Sequence, residues 1–265
     1  MSNSQKTVLI TGGSSGIGAE TVRLFYEDGF RVIFTYRSGK KAALSLMQKL
    51  CGNAEGDERL TAYAWDAAQR ESLEALCDSL DGKIPDILIN NAAVGSATVK
   101  KLSDDPYEQD YYMMVVNAVS PLWMIRKFLP EMKIKGGKIV NISSVGGGIT
   151  QFPNFTTADG MSKAAVAFMT RQLAAELSHH PVDVFAVCPG AVETPMFGAS
   201  TLDHLDEQKR EKLIRQLPAE RLIQSEEVAR LIRYLCRPEA EIMRGAVIDA
   251  SLGLGSNPGL LSNFS

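Results

Sequence analysis

No stretch of the sequence approaches the roughly 20 consecutive apolar residues that a membrane-spanning helix needs, so no membrane partner is expected. Charge of one sign is missing as well. Lys and Arg number 28 against 31 Asp and Glu, a net charge of −3 with no basic run, which argues against nucleic acid as a partner. Cysteine is sparse: Cys51, Cys77, Cys188 and Cys236 lie far apart and form no CxxC. That pattern excludes a disulfide framework or a zinc site, and no metal is expected. The N-terminus, MSNSQKTVLITGG, passes from a short polar lead into a strand-like run and fits no signal peptide. Reduced thiols and the missing leader together predict a cytoplasmic protein.

What is present is an ordinary globular composition, 45% hydrophobic and 22% charged, in a chain of 265 residues. Short β-branched runs recur at Thr7–Thr11, Arg31–Tyr36, Leu60–Trp65, Asp86–Asn90, Lys138–Ser143, Val182–Cys188 and Ala246–Ala250. Several are apolar throughout, as strands covered on both faces are. Amphipathic segments such as AETVRLFYEDG and RESLEALCDSL separate them. This alternation predicts an α/β protein: one doubly wound parallel sheet of about seven strands, a single domain over 1–265. The rhythm breaks once. Residues 194–225 form a long polar connection after the sixth strand, read as a substrate lid.

The stretch TGGSSGIG, Thr11–Gly18, joins the first strand to the first helix. Gly12 allows a tight turn, Gly16 lets backbone approach a pyrophosphate, and Gly18 permits close helix packing. Unpaired N–H groups and the positive dipole end of the helix face the phosphates. The loop therefore predicts a dinucleotide, with Ser14, Ser15 and Ile17 beside the glycines.

The spacing G-x-x-x-G-x-G resembles the glycine motif of the short-chain dehydrogenases/reductases, and further motifs follow in the family's order over nearly the whole chain. NNAA at Asn90–Ala93 resembles the family's NNAG, and VVNAVSPL carries Asn117. IVNISSVGG carries Ser144, and CPGAVETPM at Cys188–Met196 resembles the PG-x-x-x-T segment. The resemblance implies a Rossmann-type fold and an oxidoreductase of small-to-medium carbonyl or alcohol substrates. It also implies an assembly as homodimer or homotetramer through the fourth and fifth helices. The apolar AAVAFMTRQLAAEL, Ala164–Leu177, suits a helix covered by sheet and partner. The cofactor contacts it implies are Asp66 and Ala67 after the third strand, Asn90 and Ala92 after the fourth, and Pro189, Gly190, Val192 and Thr194 after the sixth. Lys163 is expected on the nicotinamide ribose.

In NAD-preferring members an acid ends the second strand. Here the position holds Tyr36, followed by Arg37, with Lys40 and Lys41 nearby. No carboxylate repels a 2′-phosphate, and a guanidinium can pair with one. NADP(H) is the expected cofactor, with NAD(H) as the alternative and Ser15 as a mild counter-signal.

The catalytic set implied by the family is asparagine, serine, tyrosine and lysine. The matching positions are Asn117, Ser144 and Lys163, but Asp159 stands where the tyrosine belongs, four residues before the lysine. No tyrosine lies between Tyr112 and Tyr234 to take its place. An aspartate ionises near pH ~3.9 and a tyrosine near ~10, and a lysine cation would favour the carboxylate further. The expectation is a carboxylate with no proton to give, hence an atypical acid/base in which a water bridges to Asp159, burial raises its pKa, or another group such as His204 supplies the proton. Tyr107, Tyr111 and Tyr112 precede Asn117 and could face substrate or partner. Two other readings stay open: a non-redox isomerase or dehydratase using Asp159 as base, and a cofactor-binding homologue or engineered variant without turnover. At the C-terminus Ser251, Leu252 and Gly253 replace the family's D-G-G.

Overall fold

The computed structural model describes residues 5–152 and 155–257; the polar lead at 1–4 and the last residues of the C-terminal segment lie outside them. Elements are numbered in chain order. The sheet strands are β1 (Thr7–Ile10), β2 (Arg31–Tyr36), β3 (Leu60–Ala64), β4 (Ile87–Asn90), β5 (Gly137–Ile142), β6 (Val182–Pro189) and β9 (Val247–Ala250). They form one seven-stranded sheet in the order β3-β2-β1-β4-β5-β6-β9, with every pairing parallel. The seven runs read from the sequence are these strands, shifted at their ends by a residue or so.

Alternation along each strand divides the core in two. Val8 and Ile10 point to the face packed by helices α1 (Gly16–Glu27) and α2 (Lys40–Cys51), where Phe34, Ile89 and Phe185 join them. Leu9, Leu88 and Ile139 point to the other face. There they meet α3 (Arg70–Ser79), α4 (Ser96–Leu102), α5 (Pro106–Met114), α6 (Ser120–Lys135) and, past the single turn α7 (Val145–Gly148), the long helix α8 (Thr157–Glu176). Burial on both faces explains why these strands read as continuous apolar runs. The chain runs from β1 outward to β3, then returns to place β4 against the other side of β1. That reversal opens a crevice at the carboxyl ends of the strands, where ligands of such sheets bind.

The polar connection is built rather than loose. A two-residue strand β7 (Val192–Glu193) pairs in parallel with β8 (Ile223–Gln224). Between them lie α9 (Pro195–Ser200) and α10 (Glu207–Gln216); α11 (Ser225–Leu235) follows and returns to the sheet. Leu202, Leu213, Leu217 and Leu222 form a small apolar cluster of their own beneath this segment. The period-2 pattern of β7 and β8 is too short to be read from sequence.

Candidate active site

The glycine loop forms as its glycines require. Gly12 and Gly16 have φ of +66° and +52°, a region L side chains rarely adopt. A Cβ at Gly12 would lie 2.9 Å from the Ala92 Cα, and one at Gly18 would lie 2.2 Å from the Gly12 carbonyl oxygen. Gly18 thus packs against its own loop and the Asn91 side chain after β4. Ser15 occupies the N-cap of α1 without a side-chain capping bond, so the helix's first N–H groups are left to the cavity, as phosphate binding requires. These features fit a dinucleotide pyrophosphate.

A cavity of about 830 Å³, near the upper end of the roughly 300–1,000 Å³ of ligand sites, follows the carboxyl ends of the strands. Gly12, Ser14, Ser15, Gly16 and Ile17 line its middle; Tyr36, Arg37, Asp66 and Ala67 line one end. Ala92, Ser144, Asp159 and Lys163, with Pro189, Gly190, Val192 and Thr194, line the other. Three expected site residues stand behind the wall. Gly18 is under the loop. Asn90, expected at the cofactor, is buried and donates to the Asn141 Oδ1 at 2.8 Å, because the register sets the two residues side by side on β4 and β5. Asn117 is buried in the π-helical turn Val115–Val119, which links α5 to α6. Its Oδ1 accepts from the Val94 N–H at 2.8 Å, and its Nδ2 donates to the Val94 carbonyl at 3.0 Å and the Ser162 Oγ at 3.2 Å. A side chain expected in the catalytic set is thus committed to the backbone beside α4.

Sequence reasoning passed over Asn91. Its Nδ2 donates to both the Thr11 and Gly12 carbonyls at 3.0 Å, holding the glycine loop to the end of β4. The Asn–Asn pair was the signal: one member fits a buried sheet position, the next a loop. Lys40 and Lys41, considered as helpers for a 2′-phosphate, sit exposed on the first turn of α2 and away from the cavity wall. His204 is exposed and does not line the cavity, whereas its neighbour Leu205 does.

The acid/base corner is assembled by three contacts. Asp159 and Lys163 share one face of α8, a turn apart. Ser143 at the end of β5 donates through Oγ to the Lys163 carbonyl at 2.8 Å, tying α8 to the sheet. Gly147, with φ of +91°, lets the loop after Ser144 press on α8; a Cβ there would lie 2.2 Å from the Gly160 carbonyl oxygen. Ser144 itself accepts from the Gly146 N–H at 3.2 Å and faces the cavity.

Burial pushes the Asp159 carboxyl up from its ordinary value, against the opposing pull of the Lys163 ammonium. Lys163 does favour the carboxylate, as expected, but desolvation outweighs it, so the net shift follows the rise by burial that the sequence left open. Burial likewise pushes the Lys163 ammonium down, with Asp159 opposing. Nearby Cys188 is pushed up to about 11 by burial, which leaves a protonated, inert thiol. The Thr194 hydroxyl, expected among the cofactor contacts, accepts from the Phe197 N–H at 3.1 Å and caps α9. Beyond Asp159 the cavity wall is mostly apolar, with Phe152, Met196, Phe197, Leu205, Leu213 and Leu254 beside the hydroxyls of Thr156, Ser200 and Thr201. Among the described residues no helix is long and apolar enough to cross a membrane, and no cluster of metal-ligating side chains occurs.

A family model described as Enoyl-(Acyl carrier protein) reductase matches residues 12–255. A galactitol 2-dehydrogenase of Rhizobium johnstonii is 34% identical over 251 residues, covering 92% of this chain and 93% of that protein. Among solved structures, an actinorhodin polyketide ketoreductase with NADPH superposes with a TM-score of 0.82 at 28% identity, over 95% of this chain and 97% of that one. A 3-oxoacyl-(acyl-carrier protein) reductase from Brucella melitensis with bound NAD gives 0.79 at 26% identity, over 95% of this chain and 92% of that one. With the parallel sheet, the glycine loop at its switch point and a match across nearly the whole length, the chain belongs to the short-chain dehydrogenase/reductase family of oxidoreductases.

Proposed function

We propose that the protein is an NADP(H)-dependent oxidoreductase of uncharged, small-to-medium carbonyl or alcohol substrates, in which Asp159 supplies and removes the proton. The observation that carries the reading is the placement of Asp159, a carboxyl pushed up by burial, on one cavity wall with Ser144 and Lys163. When bound, the nicotinamide supplies or accepts the hydride. The residues do the rest. A half-buried carboxyl that keeps its proton to higher pH serves as a general acid for the carbonyl oxygen. Ser144 orients that oxygen, and Lys163 holds the ribose.

An aspartate is shorter than a tyrosine. The substrate oxygen therefore sits closer to α8 than a phenol would allow, or a bridging water carries the proton. At the substrate end, among the described residues, the charged side chains on the wall are Asp159 and Lys163, and no spare cation there receives a carboxylate or phosphate. The apolar wall favours a hydrocarbon body around one polar oxygen.

Arg37 on the wall, with no acid at the end of β2, supports NADP(H). The expected homodimer or homotetramer remains part of this reading. Met161 and Phe168 of α8 are 55% and 63% exposed, and Tyr107 and Tyr111 of α5 are 85% and 72% exposed, an uncovered apolar face. The cytoplasmic location expected from the cysteines belongs to the same reading.

Turnover tests it. Incubation with NADPH and a panel of neutral ketones should consume NADPH in step with alcohol formed. Product without NADPH consumption would point to the isomerase or dehydratase reading. Tight NADPH binding without any product would point to a cofactor-binding protein without turnover.

A further inference from the structure

At the end of the cavity away from Asp159, the Arg37 Nη1 donates a hydrogen bond of 2.6 Å to the Tyr112 hydroxyl. The two residues come from distant parts of the chain, the end of β2 and the helix α5, and both line the cavity. Arg37 is exposed, and no carboxylate among the described residues holds it in an ion pair. Tyr112 is half-buried, its ring packed on the core that contains Trp65, Met113 and Val116. A fixed aromatic ring thus holds an otherwise free guanidinium. On the other side of Arg37, the turn at Gly39 rests on the glycine loop: a Cβ there would lie 2.7 Å from the Ser14 Oγ.

From this bridge we infer that Tyr112 is a positioning residue for cofactor choice: its hydroxyl aims Arg37 at the 2′-phosphate of the adenosine ribose. The inference rests on the NADP(H) reading and adds a second residue to it. The chemistry is specific. A guanidinium has donors on several edges, and the bond to Tyr112 uses Nη1, leaving the Nε and Nη2 edge to grip a phosphate with two parallel bonds. An exposed arginine otherwise samples many rotamers and gives up that freedom on binding. The Tyr112 hydroxyl is neutral, so it orients the cation without competing with the phosphate for its charge. An aspartate or glutamate in its place would neutralise Arg37 and repel the phosphate. Asp66, the acid at this end, is turned partly to its own loop, accepting from the Ala68 N–H at 3.0 Å.

The test uses 2′,5′-ADP and 5′-AMP, which carry the adenosine end of the two cofactors without the nicotinamide, titrated calorimetrically into the whole protein. The native chain should favour 2′,5′-ADP, and Arg37→Ala should erase the preference. Tyr112→Phe keeps the ring and removes the acceptor; it should weaken 2′,5′-ADP by roughly 5- to 10-fold, the scale of one hydrogen bond to a charged group, and leave 5′-AMP within about 2-fold. In the Arg37→Ala background the same change should do nothing further. If Arg37→Ala erases the preference but Tyr112→Phe binds 2′,5′-ADP like the native chain, the inference fails and the NADP(H) reading stands. If Tyr112→Phe weakens both probes equally, its part is packing and the inference fails. A native chain without preference overturns the cofactor reading and the inference together. Thermal melts of each variant without ligand separate misfolding from lost recognition, and a Tyr112→Phe chain that melts early is replaced by Tyr112→Trp, which should show the same selective loss.

Discussion

The side chain of Asn91 ties the end of β4 to the glycine loop, donating at 3.0 Å to the carbonyls of both Thr11 and Gly12. The cofactor loop is thereby preorganised by a neighbouring strand and does not depend on a ligand for its shape. Asn91→Ala should leave two carbonyls without these donors, at a cost of about 1–3 kcal/mol in chemical unfolding. It should also weaken dinucleotide binding. A variant with native stability and native affinity would show that the loop holds itself.

Lys163 should matter for binding whatever stands at 159. Lys163 lines the cavity and is buried. Lys163→Ala should weaken NADPH binding in a fluorescence titration, with the larger loss at low pH, where the lysine is most fully charged. Unchanged affinity would mean that α8 does not reach the ribose.

Far from the site, Asp183 is buried at 4% exposure and pairs with both Lys138 and Arg244, the latter at 2.7 Å, pinning β5, β6 and the approach to β9. Asp183→Ala leaves two partly buried cations without their carboxylate. It should cost about 3–5 kcal/mol, while cofactor affinity of the folded fraction stays native.

Leu252 takes the place of a glycine in the family's D-G-G and adopts a φ of +58°, a strained value for a leucine. It is 45% exposed, so little packing is lost by removing it. Leu252→Gly should raise stability by about 1 kcal/mol, read as an upward shift of the thermal midpoint.

Strand–helix alternation was legible because the central strands are buried on both faces, so short apolar runs stood out. Gly12 and Gly16 were legible because a tight turn and a close backbone approach need glycine, whereas Thr194 came from the resemblance to the PG-x-x-x-T segment alone. Asn90 and Asn117 were placed in the right segments, but their side chains were not. Each is consumed by a long-range partner, Asn141 and Val94, that no local pattern reveals. The Arg37–Tyr112 bridge spans 75 positions and was invisible for the same reason. The direction of the Asp159 titration depended on burial, which a sequence does not state, so the opposing effects of desolvation and Lys163 could be named but not ranked.

That sign has a consequence for stability. A carboxyl whose folded pKa is raised binds its proton more tightly in the folded than in the unfolded chain. Stability is therefore unpenalised below the unfolded value near ~3.9 and falls as pH rises through the folded one. Asp159→Asn removes this titration. Its stability relative to the native chain should increase as pH rises through that window, and a difference that does not change with pH would mean that Asp159 is not buried in the folded protein.

The central claim is that the Asp159 carboxyl is the proton donor, and single-turnover reduction of a neutral ketone by NADPH tests it most directly. The native rate should fall as pH rises through the raised Asp159 pKa. Asp159→Asn should lose about 10²–10⁴-fold in rate with NADPH affinity retained, and Asp159→Tyr should restore turnover with the phenol one turn from Lys163. An Asp159→Asn variant that reduces the ketone at the native rate, with the native pH profile, would contradict the account.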